Sequence, residues 1–368
     1  MKNTEMETIY SPIRHAKAQR RKGKKGVGEL GLGTPLRVSA SPRLCMRSLR
    51  IIVFVLCLAF IGCGGGKTGA NHIRVVLDWT PNTNHTGLYA ALEKGWFAEE
   101  GLTVEIFQPP EDGALVLVGS GSVEFGFDFQ ETMGPAIAKD RDALPVIAVA
   151  AIISHNTSGI MSLAQSGISR PRDLMGKRFA SWETPLVTAI IEHIVANDGG
   201  DFSAVKMIPN FATDALSALQ TDIDAIWVYY AWDGIAAEVN GINVNYIDLG
   251  SLDSRFDFYT PVLTANTRWL EANGETARKF MRALDRGYRF AMENPVEAGE
   301  ILLKHAPELG RELVMHSQEF LASRYQGDAP RWGEIEAERW SGFYRWMFEN
   351  GLLEEDIGEG GFINEFLP

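Results

Sequence analysis

Three stretches of the 368-residue chain place aromatic rings beside carboxylates and amides: LDWTPNTNHTG (77 to 87), SHNTSG (154 to 159) and DAIWVYYAWDG (224 to 234). An indole or phenol can stack on a flat ring, and a neighbouring carboxylate can accept the N–H of an exocyclic amine. In the first stretch Pro81 and Asn84 read as turn residues, with Asn84 capping the following helix. Asp78, Trp79, Asn82 and His85 are then left as candidate ligand contacts. The second stretch offers His155, Asn156 and Thr157, although Asn, Ser and Gly also build plain turns. In the third, Tyr229, Tyr230, Trp232 and Asp233 could wall a planar heterocycle. The competing reading makes the rings core and lets Asp233 cap GIAAEV. Gln130 and Glu131 follow VEFGFD, where Glu131 could simply complement a helix dipole. Trp182 and Glu183 end a further strand and would add a wall and an acceptor.

Catalysis finds no support. HExxH and GxSxG are missing, no Gly-rich nucleotide fingerprint follows a strand, and His72, His193, His305 and His316 lack metal-ligand spacing. No catalytic residue, metal or cofactor is therefore expected. GGGKTG (64 to 69) is not a phosphate-binding loop, because Ile61 stands where the first Gly belongs and no strand precedes it. The three clusters contain no Arg, which disfavours sulfonate or nitrate ligands.

The clusters fall where strands should end. From Ile73 short apolar strands alternate with helical segments: 73 to 79, 102 to 107, 123 to 128, 145 to 153, 177 to 181, 205 to 208, 224 to 230 and 244 to 249. That alternation predicts parallel α/β layers, whose ligands sit beyond the carboxyl ends of the strands. Helical spacing of Val187, Ile190, Ile191, Ile194 and Val195 predicts a helix over 184 to 198. After PVLTA (261 to 265) only helices are expected, one of them started by Asn294 as N-cap, Pro295 in its first turn and Glu297 at the capping-box position. Trp332, Ile335, Trp340, Phe343 and Met347 read as core of a final helix. Lobe 1 is predicted over 72 to 158, lobe 2 over 159 to 258, and a return to lobe 1 with C-terminal helices over 259 to 368. Crossings near Ser158 to Ser162 and Tyr259 to Leu263 would form a hinge.

Charge divides the chain. Residues 1 to 62 hold 12 Lys and Arg against 3 Asp and Glu, so of 35 basic and 47 acidic residues the remainder keeps 23 and 44, a net charge near −21. Such a body repels nucleic acid, and RRKGKK (20 to 25) reads as leader rather than a phosphate-binding patch. Arg47 and Arg50 precede an eleven-residue apolar run ending at Ile61, too short to span a bilayer and suited to a secretory signal. Its end, with Gly62 before Cys63, resembles a lipobox, predicting acylation of Cys63, a tether over 63 to 71 and a true start at Met46. Cys45 and Cys57 would be discarded, leaving no thiol in the folded body. The only membrane contact expected is a lipid anchor on an exported protein.

LDWTPNTNHTGLYAALEKGWFAEEGL (77 to 102), GSGSVEFGFDFQE (119 to 131), DLMGKRFASWETP (173 to 185), DAIWVYYAWDG and YTPVLTA (259 to 265) resemble the NMT1/THI5-like family, in its thiamine-pyrimidine binding branch. The resemblance implies a type II periplasmic-binding-protein fold that captures a 4-amino-pyrimidine, such as N-formyl-4-amino-5-aminomethyl-2-methylpyrimidine. It further implies delivery to an ABC permease and its ATPase for thiamine salvage. By that analogy Trp79 and Tyr230 flank the ring, while Asp78, Asn82, His155, Asn156 and Asp233 make polar contacts. Asp233 stands where relatives often have Glu. The branch also includes a fungal synthase that makes the pyrimidine from pyridoxal phosphate and its own histidine, but its cysteine-rich iron-binding motif has no counterpart here. Riboflavin or another flat heterocycle is the alternative ligand in the same fold, with a sulfonate or nitrate less suited.

Overall fold

A computed structural model describes residues 71–110, 113–140, 144–182, 184–209 and 214–368. The basic leader, the apolar signal, Met46, Cys63, its tether as far as residue 70, and Glu183 lie outside the described residues. Among the described residues no helix is long and apolar enough to cross a membrane.

Two five-stranded sheets carry the fold. The first holds β1 (His72–Val76), β2 (Thr103–Phe107), β3 (Phe125–Asp128), β4 (Val146–Ala151) and β10 (Val262–Asn266), in the order β2-β1-β3-β10-β4. The second holds β5 (Ser158–Leu163), β6 (Arg178–Ser181), β7 (Lys206–Pro209), β8 (Ala225–Tyr229) and β9 (Val244–Asp248), in the order β7-β6-β8-β5-β9. In each sheet four strands point the same way, and the fifth, β10 or β5, lies antiparallel to both its neighbours. The central parallel strand β3 is buried on both faces, FGFD throughout, and so reads as an apolar run rather than an alternating one, whereas the edge strands β2 and β7 stay partly exposed. All the parallel strands of a sheet point their carboxyl ends the same way, and this gathers the loops after β1, β3, β6 and β8.

The sheets are joined twice, by residues 152 to 157 and by the segment between β9 and β10. Residues 158 to 163 form β5, so the first crossing ends where the sequence reading starts it. The two crossings are stitched together. Asn156 donates its backbone N–H to Asp257 Oδ1 (2.8 Å) and its Nδ2 to the Phe256 carbonyl (2.8 Å), and its Oδ1 accepts the Ser158 N–H (2.7 Å).

Ile73, Val75, Phe125 and Phe127 pack with Phe280, Leu284 and Tyr288 of the long helix Thr267–Glu293. The close approach rests on two glycines. A Cβ on Gly87 would lie 2.4 Å from the Tyr288 ring, and one on Gly287 would lie 2.0 Å from the Gly87 carbonyl oxygen. Trp332, Ile335, Trp340, Phe343 and Met347 are all buried. The helix Ala337–Glu349 joins one apolar cluster that includes Ala148 and Ala151 of β4 together with Phe179 and Trp227 of the second sheet. It thus packs against both lobes at once. The helix Pro295–His305 does begin after Asn294 with Pro295 in its first turn, but the Asn294 side chain makes no capping bond, which corrects the expected capping box.

Candidate functional site

The loop after β1 is held from inside. Asp78 is buried at its carboxylate, with Oδ1 2.6 Å from Nε2 of His85. His85 is 0% exposed, and its Nδ1 accepts the Asn82 N–H at 3.1 Å. That bond occupies Nδ1, so Nε2 is the nitrogen that donates to Asp78. The ring also packs edge-on against Phe127, centroids 4.8 Å apart. His85 is therefore an internal clamp, and its burial removes it from the ligand contacts expected of it. Asn82, not Asn84, is the cap: its Oδ1 accepts the Asn84 N–H and its Nδ2 donates to the Thr80 carbonyl. Both ends of that amide are spent on the turn. The same clamp leaves Trp79 projecting from the strand end, 58% exposed.

After β3 the chain supplies carboxyls. Asp128 is buried, takes the Phe129 N–H at 2.8 Å and the Thr132 hydroxyl, and is pushed up to about 6 by burial against the pull of those bonds. Glu131, three residues on, has Oε2 buried without a hydrogen-bond partner. Burial, with the Asp128 charge adding to it, pushes the Glu131 carboxyl up to about 8. Gln130 points the other way. Its amide donates to the Trp340 carbonyl and accepts the Tyr259 N–H, so it belongs to the core and not to the cleft.

Lobe 2 answers with the ends of β6 and β8. Trp182 follows β6 and is 42% exposed. At the end of β8 successive side chains take opposite sides. Tyr229 reaches lobe 1, its hydroxyl 3.5 Å from Glu131 Oε1, and burial with the Glu131 charge raises its pKa well above the usual phenol range. Tyr230 turns away, its ring against Tyr246 (4.7 Å) and Phe320 (5.4 Å) and its hydroxyl on Glu238. Those contacts displace Tyr230 from the ring-flanking place expected of it. The backbone then makes one π-helical turn, Tyr230–Gly234, of a kind frequent at functional sites. Trp232 on this turn packs with Tyr89, Ala90, Ile301 and Leu302 of lobe 1. Asp233 lies within the turn, so it does not cap GIAAEV; it accepts the Tyr229 N–H at 3.4 Å, and burial pushes it up to about 6.

The second cluster sits at the crossing. His155 pairs through Nδ1 with Asp257 (2.6 Å) and through Nε2 with Asp328 (2.8 Å), while Arg339 reaches both His155 and Asp257. Burial pulls the His155 pKa down, but the bonds to Asp257 and Asp328 outweigh that and leave it raised. The Thr157 carbonyl accepts from the Tyr230 N–H and the Tyr246 hydroxyl, both at 2.7 Å. His155 and Asn156 are thereby committed to joining the two crossings, and the Thr157 backbone to lobe 2.

A family model described as NMT1/THI5 like matches residues 82–298, more than half of the chain. The chain belongs to the NMT1/THI5-like family. A formylaminopyrimidine-binding protein of Halalkalibacterium halodurans is 29% identical to it over 327 residues, 85% of this chain and 97% of that protein. The 4-amino-5-hydroxymethyl-2-methylpyrimidine phosphate synthase THI11 of Saccharomyces cerevisiae is 26% identical over 257 residues, 66% of this chain and 73% of the synthase. Among solved structures, the periplasmic nitrate-binding protein NrtA of Synechocystis PCC 6803 superposes with a TM-score of 0.62 at 14% identity, covering 80% of this chain and 87% of that one. The alkanesulfonate-binding protein SsuA of Xanthomonas axonopodis pv. citri gives 0.61 at 15% identity, over 80% and 98%. This NMT1/THI5-like chain therefore has the two-lobed α/β periplasmic-binding-protein fold.

Within that NMT1/THI5-like frame the structure brings together Asp78, Glu131 and Tyr229, and adds two residues that the sequence reading does not single out. Asp128 raises the Glu131 pKa through its charge and is itself raised by Asp78. Thr260, at the second crossing, has its hydroxyl buried without a hydrogen-bond partner. Asp128 was visible as the polar end of an otherwise apolar strand. Thr260 carried no such signal, because a Thr before Pro looks like any turn.

Proposed function

We propose that this NMT1/THI5-like protein is the exported substrate-binding component of an ABC importer, capturing a thiamine-precursor aminopyrimidine between its lobes. The observation that carries this reading is the Glu131–Tyr229 pair, in which a sealed carboxyl of one lobe meets a phenol of the other while Oε2 is left without a partner. A 4-aminopyrimidine presents an N–H donor beside a ring-nitrogen acceptor. A carboxyl that stays protonated up to about pH 8 both donates and accepts, and matches that edge. Asp233, ionised above about pH 6, accepts a further N–H. Trp79 and Trp182, exposed at the ends of β1 and β6, supply faces for the ring. Nitrate or a sulfonate would meet the carboxyls of Asp78, Asp128, Glu131 and Asp233 instead, an unfavourable set for an anion.

The proposed role is binding rather than catalysis, and the similarity of 85% of this chain to a formylaminopyrimidine-binding protein supports it. Export by the apolar signal and anchoring through acylated Cys63 complete the proposal, with a permease and its ATPase as partners. Thermal shift with N-formyl-4-amino-5-aminomethyl-2-methylpyrimidine, riboflavin, nitrate and an alkanesulfonate tests the assignment, because a ligand that binds only the folded state raises the melting temperature. A shift with the aminopyrimidine alone supports it; a shift with an anion alone overturns it.

A further inference from the structure

Away from the ring-binding residues, a chain of buried hydroxyls links the two ligand-bearing loops. Thr83 follows the Asp78–Trp79 loop in lobe 1, and its Oγ1 lies 2.6 Å from Ser317 Oγ on the helix Arg311–Ala322. Ser317 Oγ in turn donates to the backbone carbonyl of Ala231, in the lobe 2 turn between Tyr230 and Trp232. A carbonyl only accepts, so the single Ser317 proton is committed to Ala231, and Thr83 must donate to Ser317. The direction of the relay is fixed: Thr83 to Ser317 to Ala231.

The lobe 1 end is anchored. The Tyr325 hydroxyl donates to the Thr83 carbonyl at 2.6 Å and contacts Gln318 Oε1 at 3.0 Å, while Gln318 Nε2 donates to the Ala291 carbonyl at 3.1 Å. Thr83, Ser317, Gln318 and Tyr325 are all fully or almost fully buried. Ala231 itself is buried within the apolar cluster of lobe 1, although the strand leading to it belongs to lobe 2. A hydroxyl inside a dry contact that reaches a carbonyl of the opposite lobe can be satisfied only while the lobes meet, and parting them leaves the carbonyl to find water.

We propose that Ser317 is the latch of the closed state: a positioning residue that touches no ligand, yet sets affinity by tying the Trp79 loop to the Trp232–Asp233 turn. The ligand arm of this inference rests on the proposed binding function. The latch itself does not.

Double electron–electron resonance can read the latch directly. Spin labels would be placed at Thr103→Cys on β2 and Lys206→Cys on β7, in the full chain with Cys45, Cys57 and Cys63 replaced by Ser. Without any added ligand, Ser317→Ala should shift the distance distribution away from the closed separation, and Thr83→Val should shift it the same way. Thr83→Ser, which keeps the hydroxyl, should leave it unchanged. With N-formyl-4-amino-5-aminomethyl-2-methylpyrimidine as probe, Ser317→Ala should weaken binding about three- to tenfold, the worth of one hydrogen bond, mainly through faster release. Identical distance distributions in wild type, Ser317→Ala and Thr83→Val overturn the latch whatever the ligand is. A wild type that ignores the aminopyrimidine while Ser317→Ala still opens would overturn the binding assignment and support the latch. Should Ser317→Ala fail to fold, Thr83→Val alone decides between the two outcomes.

Discussion

The Tyr229 hydroxyl, at the end of β8 in the second sheet, lies 3.5 Å from Oε1 of Glu131, in the helix Gln130–Asp140 that follows β3 of the first. At that length the bond contributes little to folding by itself. Tyr229→Phe should therefore leave the melting temperature of the unliganded protein nearly unchanged. It should still weaken aminopyrimidine binding several-fold by removing a polar wall of the cleft. Calorimetric titration alongside a thermal melt separates the two effects.

The raised Glu131 pKa fixes the sign of a pH effect. A carboxyl whose folded pKa is about 8 adds stability that is fully present below its unfolded value and is lost as pH climbs through the folded one. Asp128 and Asp233, raised to about 6, act in the same direction at lower pH. Unfolding free energy should thus fall by several kcal/mol between about pH 5 and about pH 8.5, about 4 kcal/mol of it from Glu131, followed by urea denaturation. Glu131→Gln should flatten the upper part of that slope, and an equally steep slope in the variant would refute the assignment.

His85 holds Asp78, the Asn82 backbone and Phe127 together. His85→Ala strands a buried carboxylate and opens a void, so a loss of about 3 kcal/mol is expected in chemical denaturation. A loss below about 1 kcal/mol would mean that the clamp matters little.

Gly87 tests the packing of the same loop. With Tyr288 ring atoms 2.4 Å from the place of its absent Cβ, Gly87→Ala should destabilise by about 3 kcal/mol or more. Tyr288→Ala in the same chain should relieve part of that clash, measurable as non-additivity in a double-mutant cycle.

Much of this arrangement was legible in the residues. Alternating apolar runs and helical periods are local signals, and they located eight of the ten strands, all but β5 and β10, as well as buried aromatics of the C-terminal region. β5 was missed because SGIMSL opens with Ser and Gly and reads as the end of a loop. Among the candidate contacts, the sequence could mark that Asn82, Gln130 and His155 are polar and near strand ends. It could not show that Asn82 spends its amide on its own turn, that Gln130 reaches Trp340 210 residues away, or that His155 meets Asp257 and Asp328. Partners so distant in sequence are set by tertiary packing. Which of Tyr229 and Tyr230 faces Glu131 is a one-residue matter of strand pleat, because a strand alternates sides at every step.

The most direct test is calorimetric titration of N-formyl-4-amino-5-aminomethyl-2-methylpyrimidine into wild type, Glu131→Gln and Asp233→Asn at neutral pH. The acid-lined cleft predicts saturable one-to-one binding by wild type with Kd of about 1 μM or tighter, weakened at least about tenfold in Asp233→Asn and measurably in Glu131→Gln. Absence of saturable binding by wild type, or equal affinities in all three proteins, would contradict it.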